Sequence, residues 1–321
     1  MQCAATGTGL HFSNSTTLPQ DTTPMPIPTE DTIVVAPTPN PMRADDTIDH
    51  DKLAANVEKW LDTELSGFVV ITHGGEELQF GEPDKLETVK TVAQAHKGER
   101  FVIAGIDSPS ATEVIRLANL YAEAGADMIR VRIPGAATGG RAKSGNVEYF
   151  EQVTEGSPVP VVVIHQPRAS LNPDTNPQEL AEITAMDNVF SYILSLNYRW
   201  ECGIPPYIHE STQLWTCNGS IVLPGQMIGA VGACMFFANW APGLVKKIID
   251  LGKVGEYAEA NKLQQSMLHA DFLGMSLGTA ALKSGLNMLG YDTTIPRKPS
   301  LPLTPDQEAE LREAFKECGL L

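Results

Sequence analysis

Two arginines on one predicted strand are the residues of this sequence with the clearest chemical meaning. In residues 126–140, ADMIRVRIPGAATGG, Arg130 and Arg132 alternate with aliphatic residues, and Pro134 follows. Alternation with a period of two predicts a strand with two different faces, which the proline then ends. Two guanidinium groups on one strand face need solvent, a carboxylate or an anionic ligand, and their forked donors suit a carboxylate or a phosphate. We therefore predict either an anion site or an internal ion-pair network, with Glu76 or Asp107 as the carboxylate partner.

Two histidines are candidates for moving protons. His73 follows the second predicted strand and His165 ends the fifth. An imidazole can act as general acid or general base near neutral pH, and Glu76 is the third candidate. With Glu76 or Asp107 the two histidines could also form a site with two histidines and one carboxylate, but no close histidine spacing supports a metal, so we predict no cofactor. The alternative for each histidine is a simple hydrogen bond to its own loop.

Short apolar segments alternate with amphipathic segments from residue 32 onward, and these must position the candidates. Eight parallel strands with helices between them predict a (β/α)8 TIM barrel. A doubly wound open sheet is the alternative, but the first strand lacks the G-x-G-x-x-G motif that such a sheet favours. The predicted strands are 33–37, 67–72, 101–106, 128–133, 159–165, 189–196, 213–217 and 233–238.

Helices are predicted between the strands and again after the last strand. Those between strands are 50–64, 85–96, 111–124, 147–154 and 177–185, and those that follow are 243–251, 256–273, 279–289 and 305–318. Four helices are more than a barrel needs to close. We therefore predict a barrel over residues 32–242, and a final barrel helix with a C-terminal helical extension over residues 243–321.

The composition excludes several classes of function. A formal net charge of -16 argues against binding to nucleic acids or anionic membranes, and no apolar run is long enough to span a bilayer. The 5 cysteines are scattered and predict free thiols rather than a disulfide or zinc framework. Residues 1–31 contain no Lys or Arg and are rich in Thr, Pro and Ser, which predicts a disordered leader. We expect a cytoplasmic protein.

Six segments occur in the order in which one enzyme family has its motifs. The sequence resembles the dihydrodipicolinate synthase / N-acetylneuraminate lyase family, whose members are Schiff-base aldolases that act on pyruvate. The resemblance implies a TIM barrel with C-terminal helices, a small 2-oxo acid as substrate, and a homo-oligomer, either a dimer or a tetramer. The segments are ITHGGE (71–76), IRVRIPG (129–135), VVVIHQPR (161–168), ANWAP (238–242), AALKSGLNMLG (280–290) and PRKPSLPLT (296–304).

The sequence departs from the family pattern at the reacting residues. The resemblance places the Schiff-base lysine on the sixth strand, where this chain has SYIL at residues 191–194. No lysine occurs between Lys143 and Lys246, so only Lys143, on the loop after the fourth strand, could replace it. The relay tyrosine becomes Ile164, and the pair of threonines that holds the pyruvate carboxylate becomes residues 73–74. We expect no lysine Schiff base.

Two functions are compatible with these residues. The first is a divergent lyase that acts on a small carboxylate of the 2-oxo acid type, by retro-aldol cleavage, hydration or dehydration. The second is a catalytically inactive pseudoenzyme, or a protein that binds a small anion on the same barrel. For the first, the predicted catalytic residues are His73, His165 and Glu76, and the predicted substrate-binding residues are Arg130, Arg132, Arg168, Gly74, Gly75 and Asn239.

Overall fold

The computed structural model describes residues 31–134, 145–166, 175–195 and 198–321. Eight strands in these residues pair in sequence order, each parallel to the next, and β8 pairs with β1 to close a barrel. The strands are β1 (Val34–Pro37), β2 (Gly67–Val70), β3 (Phe101–Ile106), β4 (Met128–Arg132), β5 (Val161–His165), β6 (Val189–Leu194), β7 (Gln213–Thr216) and β8 (Gly232–Cys234). The predicted TIM barrel is confirmed.

Helices follow the strands and cover the outside of the barrel. They are α1 (His50–Trp60), α2 (Glu82–Ala95), α3 (Ala111–Glu123), α4 (Asn146–Gly156), α5 (Pro177–Thr184), α6 (Tyr198–Glu201), α7 (Val222–Met227), α8 (Pro242–Lys253), α9 (Tyr257–Met288) and α10 (Pro305–Glu317). Local signals fix several ends. Asp49 and Ser110 cap α1 and α3 by accepting backbone N–H groups, and Asn176 opens α5 with a capping box.

The alternation of side chains divides the hydrophobic residues into two layers. One set fills the barrel and includes Val35, Met128 and Ile164. Their strand neighbours, such as Ile129 and Val163, pack outward in the larger layer beneath the helices. A residue's parity along its strand therefore decides whether it faces the barrel interior or the helices.

After β7 the prediction differs from the structure at the end of β8 and agrees with it at a break between two helices. Residues 233–238 were predicted as one strand, but β8 ends at Cys234 and residues 236–239 form a 3-10 turn. The predicted helices 256–273 and 279–289 are found as two helical segments of α9, which are separated by a kink at Gly278 (φ 59°, ψ -139°). The kink allows one helix to pack both on the barrel and against α10.

Two earlier expectations remain predictions. All of the predicted leader except Asp31 lies outside the described residues. The division between the barrel and its helical extension is likewise untested. None of the described helices has the length and apolar character needed to cross a membrane.

Candidate active site at the barrel mouth

A cavity of about 140 Å³ lies where the carboxyl ends of the strands meet. This end of a TIM barrel is where the loops converge and where active sites form. The cavity lining combines polar and apolar groups. Its lining residues are Pro37, Val69, Thr72, His73, Gly74, Arg130, Arg132, Ile164, Gln166, Ser195, Cys217, Asn218, Cys234, Met235, Phe236, Met275 and Gly278.

Both predicted arginines reach this cavity from β4 and share one carboxylate. Arg130 Nη2 lies 2.7 Å from Asp107 Oδ1, and Arg132 Nε lies 2.9 Å from Asp107 Oδ2. The ion-pair alternative is therefore present with Asp107, whereas Glu76 takes no part in it. Two guanidinium groups against one carboxylate leave an excess of one positive charge in this cluster. Because Arg130 is only 3% exposed, solvent offers that charge little compensation.

The remaining donors of the two arginines differ in their partners. Arg132 Nη1 donates to the side-chain oxygen of Gln166 at 2.5 Å. The Nε group of Arg130 is buried and has no hydrogen-bond partner among the residues that the structure describes. A buried charged donor without an acceptor is costly unless a ligand completes it. The cluster is therefore suited to bind one additional anionic oxygen.

The backbone around Arg130 is shaped to receive its guanidinium. Gly105 on β3 lies beneath it, and a Cβ atom there would lie 2.2 Å from the Ile71 carbonyl oxygen and 3.1 Å from Arg130 Nη2. Ile71 itself adopts a left-handed conformation (φ 55°), which is strained for a β-branched residue. This turn at the end of β2 directs Thr72 and His73 into the cavity wall.

His73 is an exposed residue at the cavity rim. Its ring is parallel to that of Phe236, with an interplanar angle of 6° and a centroid separation of 6.1 Å. It is the only one of the three predicted catalytic residues that lines the cavity. Its position allows an imidazole to exchange protons with a ligand held at the arginines.

Apolar and thiol side chains also contribute to the cavity lining. Ile164 on β5 pairs in register with Arg132 on one side and with Ile193 on the other. Cys217 and Cys234 follow the register pair Thr216 and Ala233, so the two thiols are neighbours on β7 and β8. Burial raises the pKa of both thiols, which therefore stay uncharged near neutral pH.

His165 occupies the expected strand end but does not line the cavity. It shares the parity of Val161 and Val163, which pack under the helices, and it is 1% exposed. Its Nδ1 lies 2.5 Å from the hydroxyl of Tyr192, which faces the same layer. Burial lowers the pKa of His165 to about 4, so its imidazole is neutral near neutral pH.

Glu76 also points away from the cavity. Its Oε2 lies 2.6 Å from Nζ of Lys283 on α9, and its Oε1 accepts the backbone N–H of Arg297 at 2.6 Å. Both side chains of this pair are almost fully buried. Burial lowers the pKa of Lys283, and the Glu76 carboxylate opposes that shift. The pair joins the turn after β2 to the C-terminal helices.

The remaining predicted binding residues have different positions. Gly74 lines the cavity, whereas the Gly75 carbonyl accepts a hydrogen bond from the Asn40 side chain. Asn239 is buried and donates to the carbonyl oxygens of Pro37 and Phe236, so it supports two lining residues from behind. Arg168 and Lys143 lie outside the described residues. In the described parts of the chain, no three His, Cys, Asp or Glu side chains converge as a metal site requires.

Several lining residues were not singled out by sequence reasoning. Met275 and Gly278 come from α9, which carries an apolar pattern typical of helix packing and gives no sign of a cavity. Phe236 was assigned to a strand. Cys234 lies between Ala233 and Met235, which pack beneath the helices. The alternation along this segment could have indicated that Cys234 faces the barrel interior. Ser195, Cys217 and Asn218 are polar or thiol residues just beyond the ends of β6 and β7, and they meet at the cavity.

A closed parallel barrel with polar side chains at the carboxyl ends of its strands belongs to the TIM-barrel class, in which catalysis occurs at that end. The family model described as the dihydrodipicolinate synthetase family matches residues 31–318. The chain is therefore a member of the dihydrodipicolinate synthetase family, within which aldolases and lyases are its relatives.

Individual relatives are distant but cover most of the chain. A 4-hydroxy-tetrahydrodipicolinate synthase of Caldicellulosiruptor bescii is 22% identical over 87% of this chain and 94% of the relative. A probable mitochondrial 4-hydroxy-2-oxoglutarate aldolase of Emericella nidulans is 28% identical over 67% of this chain and 70% of the relative. An E. coli prophage protein of the family, solved in complex with pyruvate, superposes with a TM-score of 0.80 at 19% identity and covers 90% of this chain and 99% of that one. At that identity the superposition establishes the fold alone.

Proposed function

We propose that this chain is a lyase of the aldolase type that binds a small 2-oxo acid, or its aldol adduct, without forming a lysine Schiff base. The observation that carries the proposal is the cluster of Arg130, Arg132 and Asp107. Arg130 and Arg132 both line the cavity, and a carboxylate bound there would balance the excess positive charge of the cluster. The pyruvate complex of the E. coli family member is compatible with a 2-oxo acid at this end of the barrel.

The absence of a Schiff base is supported by the side chains on β5 and β6. The position that the family gives to its lysine falls on Ile193, and the position of the relay tyrosine falls on Ile164. No lysine is among the described residues that line the cavity. A carbinolamine cannot form without an amine, so the negative charge that develops on the substrate needs another partner. The guanidinium groups provide that partner.

The proposed reaction is retro-aldol cleavage of a 4-hydroxy-2-oxo acid through an enolate. His73 removes the proton of the C4 hydroxyl group, the C3–C4 bond breaks to release an aldehyde, and its electrons move to the 2-oxo oxygen. The arginine cluster stabilises the resulting enolate. The imidazolium of His73 then returns the proton to C3, which gives the shortened 2-oxo acid. Neither His165 nor Glu76 has a role in this scheme.

Turnover and anion binding can be tested separately. Pyruvate release from 4-hydroxy-2-oxo acids would be followed with a coupled reductase, and binding by calorimetry. Arg130→Gln should weaken carboxylate binding roughly 100-fold, because it removes a buried charged donor. His73→Gln should lower kcat and leave binding nearly unchanged. Arg116→Gln is the matched control, because Arg116 is half-exposed and pairs with Glu82 and Glu113 on the outer surface.

A chemical experiment tests the missing Schiff base directly. Pyruvate and borohydride, followed by intact mass measurement, should leave the mass of the chain unchanged. A reduced adduct at any lysine would contradict the proposal. So would a kcat/KM in Arg130→Gln equal to that of the wild-type chain.

The second candidate function is anion binding without catalysis. It is favoured by the positions of His165 and Glu76, since two of the three predicted proton carriers are committed to partners outside the cavity. Tight carboxylate binding without pyruvate release from any 4-hydroxy-2-oxo acid would establish this function. For either function we further propose the homo-oligomer and the cytoplasmic location that the resemblance and composition suggest, and light scattering would test the first of these.

A further inference from the structure

Part of the cavity lining is an apolar surface that we call the floor. We define the floor as Val69, Ile164, Cys217, Cys234 and Met235, which all line the cavity. Four of them are 6% exposed or less, and the fifth, Cys217, is half-buried. Because both thiols remain protonated, the floor carries no charge near neutral pH. A ligand whose carboxylate is held by the arginines would place its other end against this floor.

The charges of the cavity lining match a single carboxylate. Arg130 and Arg132 contribute two positive charges, and Asp107 neutralises one of them. A monocarboxylate therefore balances the cluster. A dicarboxylate would bring its second charge to the apolar floor, where burial without a partner is strongly unfavourable.

The volume sets an upper limit on the ligand. The cavity measures about 140 Å³, close to the ~150 Å³ of an apolar protein cavity that holds benzene. Allowing for a carboxylate at the mouth, a ligand of roughly 6 to 9 non-hydrogen atoms fits such a space. That range includes 2-oxo monocarboxylic acids with three to six carbons and excludes sugar acids.

We propose that the cavity selects small 2-oxo monocarboxylic acids with an apolar tail, which lies on the floor while the carboxylate binds Arg130 and Arg132. The floor adds to the affinity only for acids whose tail reaches it, so we expect acids longer than pyruvate to bind more tightly than pyruvate. The inference rests on the proposed function, since it assumes that the arginine cluster binds the carboxylate.

A panel of four acids tests the selection in the wild-type chain. Calorimetry near neutral pH and at fixed ionic strength would compare pyruvate, 2-oxobutanoate, 3-methyl-2-oxobutanoate and 2-oxoglutarate. Each added methyl or methylene group that the floor buries should tighten binding about fourfold. 2-Oxoglutarate should bind more weakly than 2-oxobutanoate, since its second carboxylate has no partner at the floor.

Two conservative variants locate the tail. Cys234→Ser exchanges a thiol for a hydroxyl of similar size and should weaken 3-methyl-2-oxobutanoate several-fold more than pyruvate. Ile164→Val removes one methylene and should shift the preferred acid to a longer tail. Cys318→Ser is the matched control, because Cys318 lies at the end of α10 and does not line the cavity. It should leave the order of the four affinities unchanged.

The outcomes separate this inference from the function on which it rests. If pyruvate and 2-oxobutanoate bind equally well, or 2-oxoglutarate binds best, the apolar selection is wrong and carboxylate binding at the arginines still holds. If Cys234→Ser affects all four acids alike, the tail does not lie on the floor. If no acid binds the wild-type chain, the proposed function fails as well.

Discussion

Two charge clusters at the same end of the barrel differ in whether their charges balance. Glu76 and Lys283 form a matched pair, with side chains 2% and 0% exposed, that is closed off from the cavity. The cluster of Arg130, Arg132 and Asp107 is unmatched and opens onto the cavity, with Arg132 and Asp107 still 21% and 23% exposed. A matched pair needs nothing further and holds two parts of the fold together. An unmatched cluster is complete only with a ligand.

The matched pair should respond most strongly to the loss of one partner. Lys283→Met leaves the Glu76 carboxylate buried without a cation, and we expect the free energy of unfolding to fall by about 3–5 kcal/mol in urea titrations. The double variant Glu76→Gln/Lys283→Met should recover most of this loss. If the single and double variants were equally unstable, the ion pair itself would not explain the effect.

Asp271 is a buried carboxyl group that, unlike Glu76 and Asp107, has no cationic side chain in the ion pairs described above. It lies on α9 beside Gly219, its carboxylate accepts the Ser220 backbone N–H, and burial raises its pKa from 3.8 to about 6. The folded state therefore keeps its proton to a higher pH than the unfolded state does. Its contribution to stability is intact below 3.8 and is lost as the pH rises through about 6.

Asp271→Asn should remove this pH dependence. Above the folded pKa the variant should be more stable than the wild type by at most about 3 kcal/mol, because two pKa units correspond to that free energy. Below the ordinary pKa of an aspartate the two proteins should unfold at the same urea concentration. Equal stability at all pH values would show that the carboxyl group ionises normally.

Asp107→Asn should lower the stability less than Lys283→Met does. It should also make the stability more dependent on added anions. The amide still accepts a hydrogen bond, but two guanidinium groups lose their common counterion, so we expect a loss of about 2 kcal/mol. Added sulfate or 2-oxobutanoate should raise the Tm of this variant more than that of the wild type. Asp292→Asn, at an exposed pair with Lys52, is the control and should show no such rescue.

An exposed ion pair should show almost no effect. Lys262 and Glu259 lie on the solvent side of α9, 74% and 50% exposed, where salt and water screen their attraction. Lys262→Met should leave the urea midpoint unchanged within error. A measurable loss there would mean that burial does not explain the ranking of these variants.

The barrel was predictable because its signal is local and repeated. Strands are indicated by alternating apolar residues, as in β4, or by a short continuous apolar run, as in β5. Eight such segments in alternation with helices restrict the topology to very few arrangements. The kink at Gly278 was also indicated, as a gap between two predicted helices. Helix and strand ends differed where a 3-10 turn replaced the end of a strand after Cys234.

The candidate site was predictable only in part, and parity explains much of the difference. Arg130 and Arg132 share the parity of Met128, which faces the barrel interior. His165 was chosen because it ends a strand, although its own parity places it with Val163 beneath the helices. For Glu76, no local pattern could indicate Lys283 as its partner, since the two residues meet only through the tertiary fold.

The kink in α9 has a consequence for which substitutions the chain tolerates. A Cβ atom at Gly278 would meet no heavy atom within 4 Å, so space does not require glycine there. The torsion angles do, because φ 59° with ψ -139° lies in a region that residues with side chains scarcely populate. Met275, which lines the cavity, lies before this residue, and Lys283, which pairs with Glu76, lies after it, so these torsion angles set how the two segments of α9 are oriented. An alanine would fit the space but would strain these torsion angles, so Gly278→Ala would change how Met275 is placed at the cavity even though no larger lining side chain is altered.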